Sequence, residues 1–156
     1  MKPPAPPFAL PAKPERDLAL VLTYWEGLKR RDAQIPFWDD VNLSALPALS
    51  ARLVMIEASD KPVRFRFGFG VVGAEVQARY GGDLAGKFLD EIEIRHPLQF
   101  TISQCSAAVE SAQPTYYRQA AAGGRGSSAQ PGYSRLILPL GGDGRVGMLL
   151  GAFAWA

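Results

Sequence analysis

Residues 68–73 read GFGVVG and match G-x-G-x-x-G, the pattern of the phosphate-binding turn in dinucleotide-binding folds. In those folds the turn follows a strand buried on both faces and belongs to a unit of parallel strands and helices. Here residues 63–69 alternate Phe65, Phe67 and Phe69 with arginines and a glycine, which is typical of a half-buried strand. We therefore predict that GFGVVG is a strand-to-helix corner and not a nucleotide site.

The chain has one cysteine, Cys105, and one histidine, His96. A single cysteine excludes an internal disulfide and any Cys-x-x-Cys metal or redox site. A single histidine excludes a zinc site built from several histidines. We expect Cys105 to be a small buried side chain, because free cysteine is among the most buried residue types.

No arrangement of a nucleophile and a base is visible in the sequence. Ser127 and Ser128 lie in a glycine-rich stretch without a partner base. The acids Asp90, Glu91 and Glu93 are clustered, but they are not paired with a histidine or serine as in a hydrolase. The sequence therefore predicts no catalytic residue and no metal site.

Three arginines, Arg64, Arg66 and Arg79, are candidates for binding an acidic ligand or partner. Arg64 and Arg66 alternate with the phenylalanines, so a solvated strand face is the favoured interpretation for them. The net charge is only +2 and the densest basic cluster is residues 29–31, which excludes a dedicated nucleic-acid-binding protein.

Length and composition favour one domain, since the chain has 156 residues, of which 47% are hydrophobic and 21% charged. Residues 1–14 hold six prolines and are predicted to be a flexible tail, followed by a single domain at 15–156 with its core at about 52–155. The prolines argue against a signal-peptide core, and no apolar run reaches the roughly 18 residues of a membrane span. We expect a cytoplasmic protein without membrane contact.

A helix is predicted at residues 17–31, because apolar side chains recur on one face at helical spacing. These side chains are Leu18, Val21, Leu22, Trp25 and Leu28. The stripe must be covered, either by the outer face of its own sheet or by that of a second subunit. We expect a homodimer with these residues at its interface.

The remaining patterns predict two strands, then several helices, then three strands. Strands are predicted at 52–58, 63–69, 115–121, 133–140 and 146–155, and helices at 73–80, 88–92 and 97–112. Turns are predicted at 59–62 and 141–144, and a flexible loop at 123–128. Runs of strands separated by helices indicate an α+β fold with an antiparallel sheet.

Residues 80–92, YGGDLAGKFLDEI, resemble the PAS-domain pattern of an aromatic residue and glycine, a short linker, and L-x-G-x-x-L-x-x-[IL]. Upstream, Tyr24-Trp25, Ile35-Pro36, Asp40-Val41 and Leu46-Pro47 resemble a family of short stand-alone PAS proteins found mainly in alphaproteobacteria. The resemblance covers about residues 18–155. It implies a five-stranded antiparallel sheet with helices over one face and an N-terminal flanking helix.

The PAS resemblance implies a sensory or signalling role without catalysis, acting through a small-molecule ligand, a separate effector protein, or both. The cofactor is unknown, because a fold does not specify its ligand. Apolar side chains expected between the sheet and the helices, as a ligand pocket or simply as a packed core, are Phe67, Phe69, Val76, Tyr80, Ile102, Cys105, Tyr117, Leu138 and Met148.

The resemblance raises two cofactor hypotheses, flavin and haem, and neither is favoured. Flavin-binding photosensors resemble one another in an Asn-Cys-Arg-Phe-Leu segment, whereas Cys105 lies in SQCS within the predicted long helix. Haem-binding PAS domains use a histidine inside the long helix, whereas His96 precedes Pro97 at its start. Two other functions stay open: an isomerase or hydratase with an apolar cavity and a buried acid, and a purely structural dimerisation module.

Overall fold

The computed structural model describes residues 8–59, 66–121, 131–142 and 145–155. Several features predicted from the sequence lie outside these ranges. They are the first residues of the proline-rich tail, most of the turn after Ser59, Arg64, the loop at residues 123–128 with both of its serines, and the tip of the last hairpin at residues 143–144.

Five strands form one antiparallel sheet, and in chain order they are β1 (Leu53–Ser59), β2 (Arg66–Val72), β3 (Thr115–Gln119), β4 (Tyr133–Gly142) and β5 (Arg145–Trp155). Their order across the sheet is β2-β1-β5-β4-β3, and every neighbouring pair is antiparallel. The predicted α+β class is confirmed, and the arrangement is consistent with a PAS-like fold.

The α-helices of the described ranges are α1 (Arg16–Gly27), α2 (Ala74–Tyr80) and α3 (Thr101–Ser111). Short 3₁₀ turns lie at Trp38–Asp40, Leu43–Ala45, Ser50–Arg52 and Leu89–Glu91. Side chains of α2 and α3 pack on one face of the sheet, and side chains of α1 pack on the other. We call these the helical face and the α1 face.

Each face of the sheet carries its own apolar core, because successive side chains of a strand point to opposite faces. The helical-face core includes Val54, Ile56, Phe67, Phe69, Ile137, Leu149 and Phe153 from the sheet. The α1-face core includes Leu53, Met55, Leu136, Leu138, Leu140 and Leu150. The sheet is thus the middle layer of three, as in folds whose sheet is covered on both sides.

Helix α1 is attached to the sheet by Trp25, which is 1% exposed and whose indole Nε1 donates a hydrogen bond to the Pro139 carbonyl at 2.8 Å. The helix ends at Gly27, four residues before the predicted end at Arg31. Glycine has the second-lowest helix propensity, which opposes extension through this point. Lys29 nevertheless stays close, with its Nζ 4.4 Å from the centre of the Trp25 ring.

Helix α3 begins at Thr101 and not at Pro97 as predicted. Residues 96–100 form two tight turns instead, with backbone hydrogen bonds from Leu98 N to Arg95 O and from Thr101 N to Leu98 O. Phe100 closes the segment with a φ of 59°, outside the helical region. The carbonyls of this segment bind a buried arginine, which is described below.

The GFGVVG stretch is the predicted strand-to-helix corner. It runs through the end of β2, and Gly73 is the residue immediately before α2. A Cβ at Gly73 would lie 2.8 Å from the Ser50 carbonyl oxygen and closer still to the Ala51 carbonyl. Gly68 similarly accommodates the Phe88 ring, whose nearest carbon would be 3.1 Å from an added Cβ. These two glycines permit close packing, and among the described strands β2 pairs with β1 alone, in antiparallel orientation.

Both outer strands are partly covered along their free edges. Beside β2, Phe69 exchanges backbone hydrogen bonds with Gly86 and Lys87. Beside β3, Tyr116 N donates to the carbonyl of Phe8, whose side chain packs on the helical-face core. Part of the predicted flexible tail therefore contacts the domain, because Phe8 has an apolar surface to bury.

Candidate functional site

Six of the predicted pocket residues come together in the helical-face core. They are Phe67, Phe69, Val76, Tyr80, Cys105 and Tyr117, and each is at most 9% exposed. Tyr80 also donates a hydrogen bond from its hydroxyl to the Glu93 carbonyl at 2.7 Å. The sequence prediction that these side chains face the space between sheet and helices is therefore confirmed for this group.

The prediction was wrong for Leu138 and Met148, which lie on the α1 face. The register pairs Leu138 with Leu150 and Leu140 with Met148. Directly paired residues share one face of a sheet. In β4, Tyr133 and Ile137 lie on the helical face. Because successive side chains of a strand point to opposite faces, Leu136, Leu138 and Leu140 point to α1.

Ile102, the ninth predicted pocket residue, is 39% exposed and lines a surface cleft of about 400 Å³. This β2–α3 cleft lies between β2, the Leu89–Glu91 turn and α3. Its apolar lining comprises Ile102 together with Phe67 and Leu89, which both belong to the helical-face core. The cleft is thus the place where this core meets the surface.

The described residues at the polar rim of the β2–α3 cleft include Arg66, Asp90 and Glu110, with Ser106 beside them. Arg66 binds Asp90 through two hydrogen bonds, from Nε at 2.8 Å and from Nη2 at 3.0 Å. Its guanidinium also lies 3.8 Å from the centre of the Phe88 ring. These contacts hold Arg66 at the rim in one orientation, as expected for a bidentate and stacked guanidinium.

A buried arginine, which sequence analysis missed, lies at the other end of the helical face. Arg135 is 1% exposed, and none of the described carboxylates pairs with it. Its Nη1 donates to the Pro97 carbonyl at 3.0 Å and its Nη2 to the Gln99 carbonyl at 2.7 Å. Its Nε donates to Gln104 Oε1 at 2.7 Å. Burial lowers the pKa of Arg135 below its ordinary value.

The side chains around Arg135 satisfy one another. The amide nitrogen of Gln104 donates to Thr115 Oγ1 and to the Arg135 carbonyl, each at 3.2 Å. The Tyr133 hydroxyl bonds to Gln99 Oε1. Arg135 also lies 5.0 Å from the centre of the Tyr117 ring. This network holds the turn before α3 against β4, and only the arginine in the sequence RLILP would have hinted at it.

His96 packs its ring edge-on against Tyr133, with ring centres 5.2 Å apart. Partial burial lowers the pKa of His96, and the positive charge of Arg79 lowers it further. The ring is therefore neutral near pH 7. Its Nδ1 is buried without a hydrogen-bond partner among the described residues. His96 lies outside α3, as the sequence analysis expected.

Cys105 is fully buried on α3, as predicted. Burial raises the pKa of its thiol to about 12, while the nearby Arg135 lowers it slightly. The thiol is therefore protonated at neutral pH and is a poor nucleophile.

The apolar stripe of α1 is covered within the chain. Leu18, Val21 and Trp25 are at most 1% exposed against the α1 face, and Leu22 and Leu28 are half-buried. The prediction that these residues form a dimer interface is wrong for the three buried ones, because their own sheet already covers them. On the same helix, Leu20 points outward and is 49% exposed.

Two kinds of feature are absent from the described ranges, a cluster of metal ligands and a membrane-spanning helix. No three His, Cys, Asp or Glu side chains come together there in a way that could hold a metal ion. None of the helices there has the length and apolar character needed to cross a bilayer.

Comparison of the chain with protein-family models, with curated proteins and with solved structures finds no match.

Proposed function

We propose that this chain is a PAS-like sensory or signalling domain that binds a small molecule in the β2–α3 cleft and acts on a separate protein. The observation that supports this best is the position of the cleft. Its apolar lining, Phe67 and Leu89, is continuous with the core between the sheet and the helices. A ligand bound there would contact β2 and α3 together. It would favour those conformations of the domain in which both elements contact it.

The cleft has the size and lining of a small-molecule site. Its volume of about 400 Å³ falls within the usual range for ligand pockets, roughly 300–1,000 Å³. An apolar ligand body would pack on Phe67, Leu89 and Ile102, and a single polar group would reach Ser106 or Glu110 at the rim. The identity of the ligand stays open, as it does from the sequence.

The proposed function is non-catalytic and cytoplasmic. The two acids among the described residues that line the cleft, Asp90 and Glu110, are both exposed, and Asp90 is held by Arg66. They lack the apolar surroundings that make a carboxyl group an effective general base. Output would pass through another protein bound to the domain. A homodimer stays a prediction, and its interface would use residues other than Leu18, Val21 and Trp25.

Native mass spectrometry of protein purified without added ligand tests the proposal. The wild-type chain is expected to carry extra mass that is lost on denaturation, and the same spectrum reports whether the protein is one subunit or two. Ile102→Trp places a large side chain at the mouth of the cleft and is expected to reduce the ligand-bound fraction. Ile102 is 39% exposed, so the larger side chain has room and the fold is expected to tolerate it.

Leu20→Trp is the matched control, because Leu20 is also an exposed apolar helical residue and lies on α1. It is expected to keep the wild-type ligand occupancy. Equal occupancy in both variants would place the ligand elsewhere. A wild-type chain of apo mass only would count against ligand binding and would leave partner binding as the function.

A further inference from the structure

The free edge of β3, which we call the β3 edge, is a surface that the N-terminal segment occupies only in part. The Tyr116 amide donates a hydrogen bond to the Phe8 carbonyl at 3.0 Å, and the centres of the Phe8 and Tyr117 rings are 6.3 Å apart. Phe8 also packs on the helical-face core. The contact shows what the β3 edge accepts, a backbone carbonyl together with an aromatic side chain.

The backbone of β3 offers more hydrogen bonds than Phe8 uses. In an antiparallel ladder, alternate residues direct their N–H and C=O groups away from the paired strand. Tyr116 donates outward to Phe8, so Arg118, two residues later, also points its backbone groups outward from β4. No described residue bonds to the N–H or C=O of Arg118 or to the C=O of Tyr116. Unpaired groups of this kind on an outer strand are a template for a further strand.

The sequence before Phe8 is poorly suited to complete this ladder. An antiparallel segment that pairs Phe8 with Tyr116 would have its residue 6 opposite Arg118. Residue 6 of this chain is a proline, which has no N–H to donate to the Arg118 carbonyl. A segment without proline at that position would make more hydrogen bonds with β3 than the chain's own N-terminal segment does.

Phe100 supplies an exposed aromatic side chain beside the same edge. Its ring centre lies 5.7 Å from that of Tyr117, and the residue is 61% exposed. Its φ of 59° and ψ of 20° lie in the left-handed region, which is strained for a phenylalanine and is more usual for glycine or asparagine. Backbone outliers of this kind cluster at binding and switch regions, and aromatic side chains are frequent among the residues that dominate protein interfaces.

We propose that the β3 edge binds an extended segment of a partner protein, which pairs antiparallel with β3 and replaces Phe8 by an aromatic side chain of its own. The backbone of this segment binds Tyr116 and Arg118, and its aromatic side chain packs on Tyr117 and Phe100. The inference rests on the part of the proposed function in which output passes through another protein. It does not require a ligand in the β2–α3 cleft.

The peptide acetyl-Ser-Thr-Val-Phe-Val-Thr-Ser-amide is a suitable probe. Its phenylalanine can pair with Tyr116, and the threonine two residues earlier has the N–H that Pro6 lacks. In amide-correlated NMR spectra of the full chain, the Arg118 signal should shift saturably as the peptide is added. The Phe69 signal, from the strand at the opposite edge of the sheet, should stay unchanged.

Phe8→Ala removes the competing side chain and is expected to lower the Kd of the peptide about tenfold, because the tethered Phe8 is present at a high effective concentration. Leu10→Ala is the matched control, since Leu10 belongs to the same segment but is 37% exposed, and it should bind as the wild type does. Phe100→Asn suits the left-handed backbone and removes the exposed ring, so it should weaken binding about tenfold. The NMR spectra of the variants also report whether each is folded.

Two control peptides separate the backbone from the ring. Replacing both threonines by proline removes N–H donors, and replacing the phenylalanine by alanine removes the ring. Each change is expected to weaken binding about tenfold. Equal binding of these peptides, or equal binding to the Phe8→Ala and Leu10→Ala variants, would overturn the proposal.

Two further results would also overturn it. The first is an Arg118 signal that does not shift, and a bound small molecule seen by native mass spectrometry would then leave the ligand part of the proposed function standing. The second is a dimer of the Phe8→Ala variant that the peptide does not dissociate, since the β3 edge would then pair with a second copy of this chain.

Discussion

Replacing Gly73 by alanine tests the structural interpretation of GFGVVG directly. The new methyl group would lie 2.8 Å from the Ser50 carbonyl oxygen and nearer still to the Ala51 carbonyl. Both neighbours are backbone atoms next to β1, so they cannot move aside as a flexible side chain would. The φ and ψ of Gly73, −63° and 147°, are ordinary for alanine, and the whole effect therefore comes from the close contact.

The expected loss of stability is about 3 kcal/mol. Forcing one extra methyl group into a close-packed site costs about 1–3 kcal/mol, and contact with backbone places this case at the upper end. The displacement also weakens the hydrogen bond from Gly73 N to Leu53 O, now 2.8 Å long, which contributes about 1 kcal/mol. The smaller entropy of the unfolded alanine variant offsets about 0.4–1 kcal/mol.

Urea unfolding followed by circular dichroism measures the difference, with Gly70→Ala as the control. Gly70 is exposed, and a Cβ there would meet only the Met55 carbonyl oxygen at 3.6 Å, an ordinary contact. Its variant should stay within about 0.5 kcal/mol of the wild type. Equal stabilities of the Gly73 and Gly70 variants would refute the tight corner. Nucleotide binding that Gly73→Ala abolished without loss of stability would restore the phosphate-site interpretation.

Two further predictions concern titratable groups. Burial alone would raise the pKa of Glu15, but hydrogen bonds donated by Ser134 and Tyr116 bring it below its ordinary value of 4.5. The ionised Glu15 therefore stabilises the fold above pH 4.5, and this contribution is lost as the pH falls through the lower pKa of the folded state. Glu15→Gln should flatten this part of the curve of unfolding free energy against pH, measured by urea unfolding. Because burial raises the pKa of Cys105 to about 12, a thiol reagent at mildly alkaline pH should label it only after unfolding, and rapid labelling of the native protein would contradict its burial.

The elements that the sequence predicted well are those with a strong local pattern. Phe67 and Phe69 alternate with polar or small residues, and β2 has the predicted face toward the core. Gly81 follows α2 with a φ of 83°, which is the usual way for a glycine to end a helix. The start of α3 was missed because the carbonyls of Pro97 and Gln99 bind Arg135, a contact across more than 35 residues that no local pattern reveals.

The candidate site was only partly predictable, and the errors have a physical cause. The described residues of β4 from Tyr133 to Gly141 are all buried, so apolar residues occupy both faces and alternation no longer shows which face a residue takes. An error of one residue in phase moves every side chain to the other face, as happened for Leu138. The β2–α3 cleft depends on how β2, the Leu89–Glu91 turn and α3 pack together, which composition and spacing do not encode.

The two ends of the helical face differ in a way that supports the β2–α3 cleft as the proposed ligand site. At the β3–β4 end, Arg135 donates to two backbone carbonyls and to Gln104, and Gln104 in turn donates to Thr115. A ligand entering there would have to break these bonds and leave a buried charge without partners, which costs several kcal/mol. At the β2 end, Phe67, Leu89 and Ile102 line a surface cleft, and the ion pair of Arg66 and Asp90 at its rim is exposed to solvent. The satisfied polar network thus closes one end of the core, which supports the proposal that a ligand binds at the other end.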